Sequence, residues 1–341
     1  MSPVISKSEP DILALHAAGG SGHSGAFLNY VKRHHPNFWS RIGMRRFNMS
    51  KDAARTDTFP CVADKYKLLL LWSRDSLGLT NPVLLQRLME LEARASTKGV
   101  PFINPPSASD STSRTEQCRI WYEYSLPGAV VQVCPRTLEG FKHFGDTYGW
   151  PFIIKRNWGH GGGDHVQLIS CIEDVNLESM VTDRVCIQYV ETKGQDGLYR
   201  KYRAVVVGNQ VIPAHVQISK TWMVNSGSQD VPSQLLSQET KEYVDDDMLP
   251  HLRYNLKLAV HTLGLTIGAV DYSFDAKHGL VLWEVTPCFS LADTIKRYGS
   301  AVSNRVCEAI YRHYKTTLGE EFKDFELKRK WPLDHPFLLR S

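Results

Sequence analysis

Residues 153–169 read IIKRNWGHGGGDHVQLI, four glycines and two histidines between two apolar runs, with a lysine at the entry. Glycine loses more backbone freedom on folding than any other residue, so a cluster of it needs a compensating role. The usual role is close approach of the backbone to a ligand, often a phosphate. Both flanking runs read as strands, which makes the segment a β-hairpin with a long glycine-rich tip. No GK[ST] closes the glycines, so this is not a Walker loop. A strand follows rather than a helix, so it is not a dinucleotide fingerprint. Such a tip fits a lid over a triphosphate, its N–H groups and Lys155 meeting phosphate oxygens; the competing reading is an ordinary loop.

A second hairpin, IGAVDYSFDAKHGLVLWEVTP, bears on that choice. A turn over residues 276–279 pairs Asp275 with Leu280 and places Asp271 opposite Glu284. Two carboxylates facing each other across a ladder repel. A divalent cation between them removes the penalty, and hard oxygen ligands suit Mg²⁺ that also holds nucleotide phosphates. Thr286 shares the face of Glu284. The competing reading is a solvated pair on an edge hairpin. On either reading the repulsion predicts that Glu284→Gln, without metal, keeps or gains stability by about 0.2–1 kcal/mol.

Elsewhere the pattern is that of an α/β chain. DILALHAAGG, YKLLLLWSRD and VPFINPP read as strands. TNPVLLQRLMELEARASTKG is a helix with Thr80 or Asn81 as cap, Pro82 in its first turn and Gly99 beyond its end. This alternation predicts an open α/β lobe over the first hundred residues. The polar run SASDSTSRTEQ reads as a linker. Leu249, Leu252, Leu256, Val260 and Leu263 mark an amphipathic helix closed by Gly264. The net charge of +4 is too mild to point to nucleic acid, and LLLLW is too short to span a membrane. Seven scattered cysteines without CxxC read as reduced thiols of a cytoplasmic protein.

In order and spacing these motifs resemble the ATP-grasp superfamily over roughly residues 60–315. The fold this implies is an N-terminal α/β lobe (1–106), a central lid lobe (107–190) and a C-terminal metal lobe (191–317), the last two α+β lobes clamping ATP. A C-terminal extension (318–341) follows. WPFIIK and the glycine loop resemble the nucleotide lid, with Lys155, Gly161, Gly162 and Gly163 on phosphate. VCIQYVE is similar to the hinge strand that reads adenine, which implicates Gln188, Tyr189, Val190 and Glu191. CRIWYEYSLPGAVVQVCPRT resembles the stretch carrying the first ATP-binding basic residue, here Arg119 where lysine is more usual. KYRAVVVGNQVIPA resembles the strand whose arginine, Arg203, faces the transferring phosphoryl group. AVDYSF and LVLWEVTP resemble the metal strands, giving Asp271 and Glu284 as ligands; Thr286 stands where the family usually has asparagine. Lys220 and Asn225 lie where relatives contact phosphate or metal, or else in a solvated loop. Trp158, His160 and His165 either cap the phosphates or shape the glycine loop.

The resemblance implies an ATP- and Mg²⁺-dependent ligase that activates a carboxylate as an acyl-phosphate and joins it to an amine, releasing ADP and phosphate. The expected partners are small-molecule or peptide carboxylates and amines, without nucleic acid or membrane, and a homodimer is open. A kinase acting on a hydroxyl and a non-catalytic nucleotide-binding protein are the alternatives.

Overall fold

Strands and helices alternate from the start of the computed structural model, which describes residues 10–17, 23–46, 65–73, 76–159, 166–177, 183–225, 230–275, 279–292, 294–295 and 299–320. The first lobe contains β1 (Ile12–His16), α1 (His23–His34), α2 (Pro36–Trp39), β2 (Ile42–Arg46), β3 (Leu68–Trp72), α3 (Leu77–Thr80), α4 (Pro82–Thr97) and β4 (Phe102–Ile103). Its strands form a parallel sheet ordered β2-β1-β3-β4. A parallel sheet needs cover on both faces, which is why β1 and β3 are unbroken apolar runs. Leu13, Leu15, Leu69 and Leu71 pack against α4. Asn81 caps that helix by accepting from the Leu84 amide at 3.0 Å, and Gly99 follows it at φ +66°.

The run expected to be a linker is folded. Two 3₁₀ turns (Pro106–Ala108 and Asp110–Thr112) lead into α5 (Arg114–Glu123), capped by Ser113. Its polar side chains act as acceptors: the buried Ser109 Oγ takes the Leu77 amide at 2.8 Å, and the exposed Asp110 Oδ1 takes the Gly78 amide at 3.1 Å. Residues typical of linkers are also those that cap helices, and here they cap.

The second lobe contains β5 (Val131–Val133), α6 (Leu138–Tyr148), β6 (Phe152–Arg156), β7 (Gln167–Ile169) and β8 (Arg184–Gln188), an antiparallel sheet ordered β5-β8-β6-β7. α6 lays Phe141 and Phe144 on Phe152 and Ile154. The third lobe contains β9 (Tyr199–Val207), β10 (Gln210–Ser219), α7 (Ser233–Asp245), α8 (Pro250–His261), β11 (Ile267–Asp275), β12 (Gly279–Thr286) and α9 (Ser300–Thr317). KYRAVVVGNQVIPA is therefore a hairpin turning at Gly208, which has φ +52°. The four strands form an antiparallel sheet ordered β10-β9-β11-β12.

Alternation along β9 shows how this sheet is held. Ala204 and Val206 pack toward α8 and α5, while Val205 and Val207 pack toward the first lobe and α9. The first and third lobes thus share one apolar core, in which Phe27 and Leu70 lie with Val302 and Tyr314. Of the C-terminal extension only residues 318–320 are described; the rest lies outside the described residues.

Asn104 ties these two lobes together by hydrogen bonds. It is buried at φ +51°, donates to the Ile267 carbonyl at 2.8 Å, and accepts from the amides of Thr266 and Ile267 at 3.0 and 3.1 Å. Asn104→Ala removes three buried partners and is expected to cost about 2–4 kcal/mol. Asn104→Gly, which tolerates the backbone conformation, should recover about 1 kcal/mol of that. Equilibrium denaturation of the two variants checks both figures.

Candidate active site

A row of polar side chains crosses the third sheet. In the ladders Arg203 of β9 stands opposite Asp271 of β11, and Asp271 stands opposite Glu284 of β12. His215 of β10 extends the row on the far side of Arg203. Arg203 holds Asp271 through two parallel bonds, Nε to Oδ1 at 2.6 Å and Nη2 to Oδ2 at 2.8 Å. Lys201, two residues earlier on the same face of β9, brings Nζ to 3.7 Å from Asp271 Oδ2. Thr286 Oγ1 donates to Glu284 Oε1 at 3.3 Å.

The hairpin reaches this pairing by another route than a uniform register. Asp275 pairs with Gly279, not Leu280, one residue off the expected alignment. A bulge at Trp283 restores it, since Tyr272 pairs with Leu282 and Asp271 with Glu284. The extra residue turns Trp283 toward the second lobe, where it packs with Ile153, Ile187 and Val190, and its Nε1 donates to Ser273 Oγ at 2.8 Å.

From the second lobe, Lys155 Nζ comes to 3.8 Å from Glu284 Oε2. The first basic residue of the expected stretch is misplaced. Arg119 lies on the exposed side of α5, paired with Glu116 at 2.9 Å and Glu123 at 2.5 Å. Arg114, the first residue of that helix, enters the site instead. Only 5% exposed, it donates Nη2 to Glu284 Oε2 at 2.9 Å and to the Gly159 carbonyl at 2.7 Å, and Nη1 to the Arg156 carbonyl at 2.8 Å. Gln117, one turn on, fixes α5 to β12 by accepting from the Val285 amide at 2.7 Å and donating to its carbonyl at 3.0 Å.

The remaining expected residues are spread around this cluster. Gln188 ends β8, its amide donating to the Val130 carbonyl at 2.8 Å and its Oε1 accepting from the Val130 amide at 3.4 Å. Val190 packs in the apolar cluster with Trp283. Glu191 accepts from the Tyr189 and Tyr199 hydroxyls at 3.2 and 3.4 Å and from the Lys193 amide at 2.9 Å. Lys220 is exposed beyond β10, its amide bound to Asp230 Oδ1 at 2.9 Å, and no ion pair of the described residues joins its ammonium to the cluster. Asn225 follows in the same loop. Trp158 lies under the Arg156 guanidinium, 5.6 Å from it. Gly161, Gly162, Gly163, His160 and His165 lie outside the described residues.

No protein-family model and no curated protein matches the sequence. Solved structures match nearly its whole length. The ATP-grasp ligase PsnB complexed with precursor peptide PsnA2 and AMPPNP superposes at a TM-score of 0.59 with 12% identity, over 90% of this chain and 98% of that one. The chain has the ATP-grasp fold. The RimK domain protein ATP-grasp from Sphaerobacter thermophilus DSM 20745 gives 0.52 with 15% identity over 88% and 99% of the two chains. D-cycloserine synthetase DcsG gives 0.56 with 15% identity over 89% and 99%.

In this ATP-grasp fold the facing carboxylates are compensated within the protein itself. Four basic side chains, Arg203, Lys201, Arg114 and Lys155, surround the two acids. Burial raises the Asp271 pKa, but Arg203 and Lys201 outweigh burial and hold it below the ordinary carboxylate value. The expectation that Glu284→Gln relieves repulsion is therefore reversed. That substitution leaves the Arg114 guanidinium buried beside a neutral amide, and we expect a loss of about 1–3 kcal/mol in the nucleotide-free protein, read from denaturant midpoints.

Lys155, its side chain 28% exposed, titrates at about 8 against an ordinary 10.5; burial lowers it first, Arg114 adds to this, and Glu284 opposes both. Between those two pH values the unfolded chain holds the proton that the folded protein has released, so stability rises with pH across the window. Lys155→Met should melt above wild type at pH 7, with the difference shrinking from pH 8 toward 10.5. Paired melting curves across that range check the sign.

Proposed function

We propose that this protein is an ATP-dependent ligase that activates a carboxylate as an acyl-phosphate and couples it to an amine, releasing ADP and phosphate. The observation that carries this reading is the charge balance of the cluster on Asp271 and Glu284. Two carboxylates embedded among four basic side chains make a site with net positive charge. Such a site suits a polyanion that brings its own cation better than it suits a free cation.

The donors fit magnesium on those terms. Among the described residues no group of three His, Cys, Asp or Glu side chains could hold a metal ion. Asp271 and Glu284, with the Thr286 hydroxyl beside them, supply hard oxygens of the kind magnesium shares with substrate phosphates. Bound there, magnesium would supply positive charge between the phosphate oxygens.

The chain's own residues divide the remaining work. Lys155, projecting from the strand that enters the glycine loop, holds phosphate oxygens. Arg203 lies one strand from the acids and offsets charge that develops on the transferring phosphoryl group. Trp283, Val190, Ile153 and Ile187 form an apolar surface between the lobes, chemically suited to the flat base of a nucleotide. Gln188 and Tyr189, where β8 leads into Val190, offer backbone groups to the edge of the base, and Glu191 is a candidate for the base or the ribose. Arg114 positions Glu284 and the base of the loop rather than touching substrate. Lys220 is a candidate for closing on the phosphates from the loop after β10.

The neighbours in fold support a substrate class. PsnB and macrocyclase MdnC were solved with precursor peptides, and PsnB also with Mg and ADP. For this chain we propose a peptide or amino-acid carboxylate and a small or peptide amine.

The test supplies Mg-ATP with pools of carboxylates and amines. ADP with free phosphate, formed only when both pools are present, is the expected result. A phosphorylated hydroxyl without free phosphate identifies a kinase, and ATP binding without turnover identifies a nucleotide-binding protein. Lys155→Ala should weaken ATP binding roughly 10- to 100-fold, the loss of one charge-assisted contact. Calorimetry that finds unchanged affinity removes Lys155 from the site.

A further inference from the structure

β6 and β8 carry a pair of arginines at one end. Arg156 and Arg184 stand opposite each other in the antiparallel ladder, so their side chains leave the same face of the sheet. That face is the one opposite Lys155, because successive side chains alternate along a strand. Phe152, Ile154 and Cys186 on the same face pack under α6. Arg184 is 7% exposed, and neither its Nε nor its Nη1 has a hydrogen-bond partner. The Nε of Arg156 is also enclosed and unpartnered, although its guanidinium lies over Trp158.

Other enclosed arginines among the described residues are matched. Arg114 has Glu284, Arg203 has Asp271, Arg200 has Asp196 and Glu239, and Arg41 has Asp11 and Glu320. No ion pair of the described residues neutralises Arg156 or Arg184. Like charges directly opposite in a ladder destabilise it, and a guanidinium withdrawn from water without acceptors costs more. Forked donors on two paired strands suit the oxygens of a tetrahedral anion.

We infer that Arg156 and Arg184 form an oxyanion site on the rear face of the second lobe, separate from the nucleotide cleft, that takes phosphate or the phosphate group of a phosphomonoester. An anion held there bridges β6 to β8. Arg156 directly follows Lys155 and its carbonyl receives Arg114, so occupancy braces the strand that presents Lys155 to the cleft.

The test uses the full chain carrying Lys155→Ala, which weakens the cleft toward phosphate, without nucleotide. Inorganic phosphate and phosphoserine are titrated against melting temperature, with potassium chloride at matched ionic strength as control. The expected result is a saturable rise with phosphate, weakened roughly 10- to 100-fold by adding either Arg184→Met or Arg156→Met. Arg184→Met should also melt no lower than its parent in phosphate-free buffer, since an apolar side chain replaces an unmatched buried cation. A response to both ligands indicates a group presented on a larger molecule, and a response to inorganic phosphate alone indicates the free ion; each supports the site. A rise that survives both arginine substitutions, or no rise in the parent at millimolar phosphate, overturns it. Should Arg184→Met fail to fold, Arg156→Met, at a partly exposed position, decides alone. Because the Lys155→Ala background is nucleotide-free throughout, failure here leaves the ligase reading untouched.

Discussion

One guanidinium joins the parts of this molecule that have to act together. Arg114 reaches the carbonyls of Arg156 and Gly159 on one side and the carboxylate of Glu284 on the other. It thereby connects the base of the glycine loop, in the second lobe, to the acid row of the third sheet. Its own position is set by Ser113, which caps α5, and by Gln117, which clamps α5 to the backbone of Val285. A buried ion pair of this kind contributes little net stability, since desolvation offsets the attraction. Its effect is geometric: only one placement of the two lobes satisfies all the acceptors.

The acid row follows the same logic. Asp271 and Glu284 are tolerable neighbours because each is paired with cations from strands and helices remote in sequence. Arg203 serves Asp271 from 68 residues away, and Arg114 serves Glu284 from 170. The two acids are therefore compensated within the protein before any ligand arrives. Lys155 is the loosest member, since burial and Arg114 both work against its proton.

Much of this was legible in the sequence, and the rest was hidden for identifiable reasons. The leucine-rich strands of the first sheet and the cap, proline and glycine of α4 are local signals, and they describe the elements found. The opposition of Asp271 and Glu284 was also readable, though through a turn one residue off and an unseen bulge that cancelled the error. Bulges leave no compositional mark when the inserted residue, here Trp283, is as good a strand former as its neighbours. Arg119 is the first basic residue of the stretch that begins at Cys118, whereas Arg114 falls in the polar run that reads as a linker. Five residues on a helix rotate a side chain by about 140°, so the two cannot share a face. The spacing of Glu116, Arg119 and Glu123 was itself the sign of a solvated charge stripe. Lys201 could have been found from its parity with Arg203. The polar run failed as a linker because Ser109 and Asp110 bond backward to α3 and Ser107 to Glu92 of α4, contacts no local pattern encodes.

The core shared by the first and third lobes has a consequence for how the chain comes into being on the ribosome. β1, α1 and β3 emerge early, but one face of their sheet is closed by Val205, Ile267, Val306 and Tyr314, residues translated some 130 to 300 positions later. The second lobe, whose sheet and α6 are contributed by residues 131–188, is a local insertion and can mature while that face still waits. Vectorial synthesis therefore runs against the order of the sequence: the second lobe can be finished before the first, and the first sheet depends on a helix made after both.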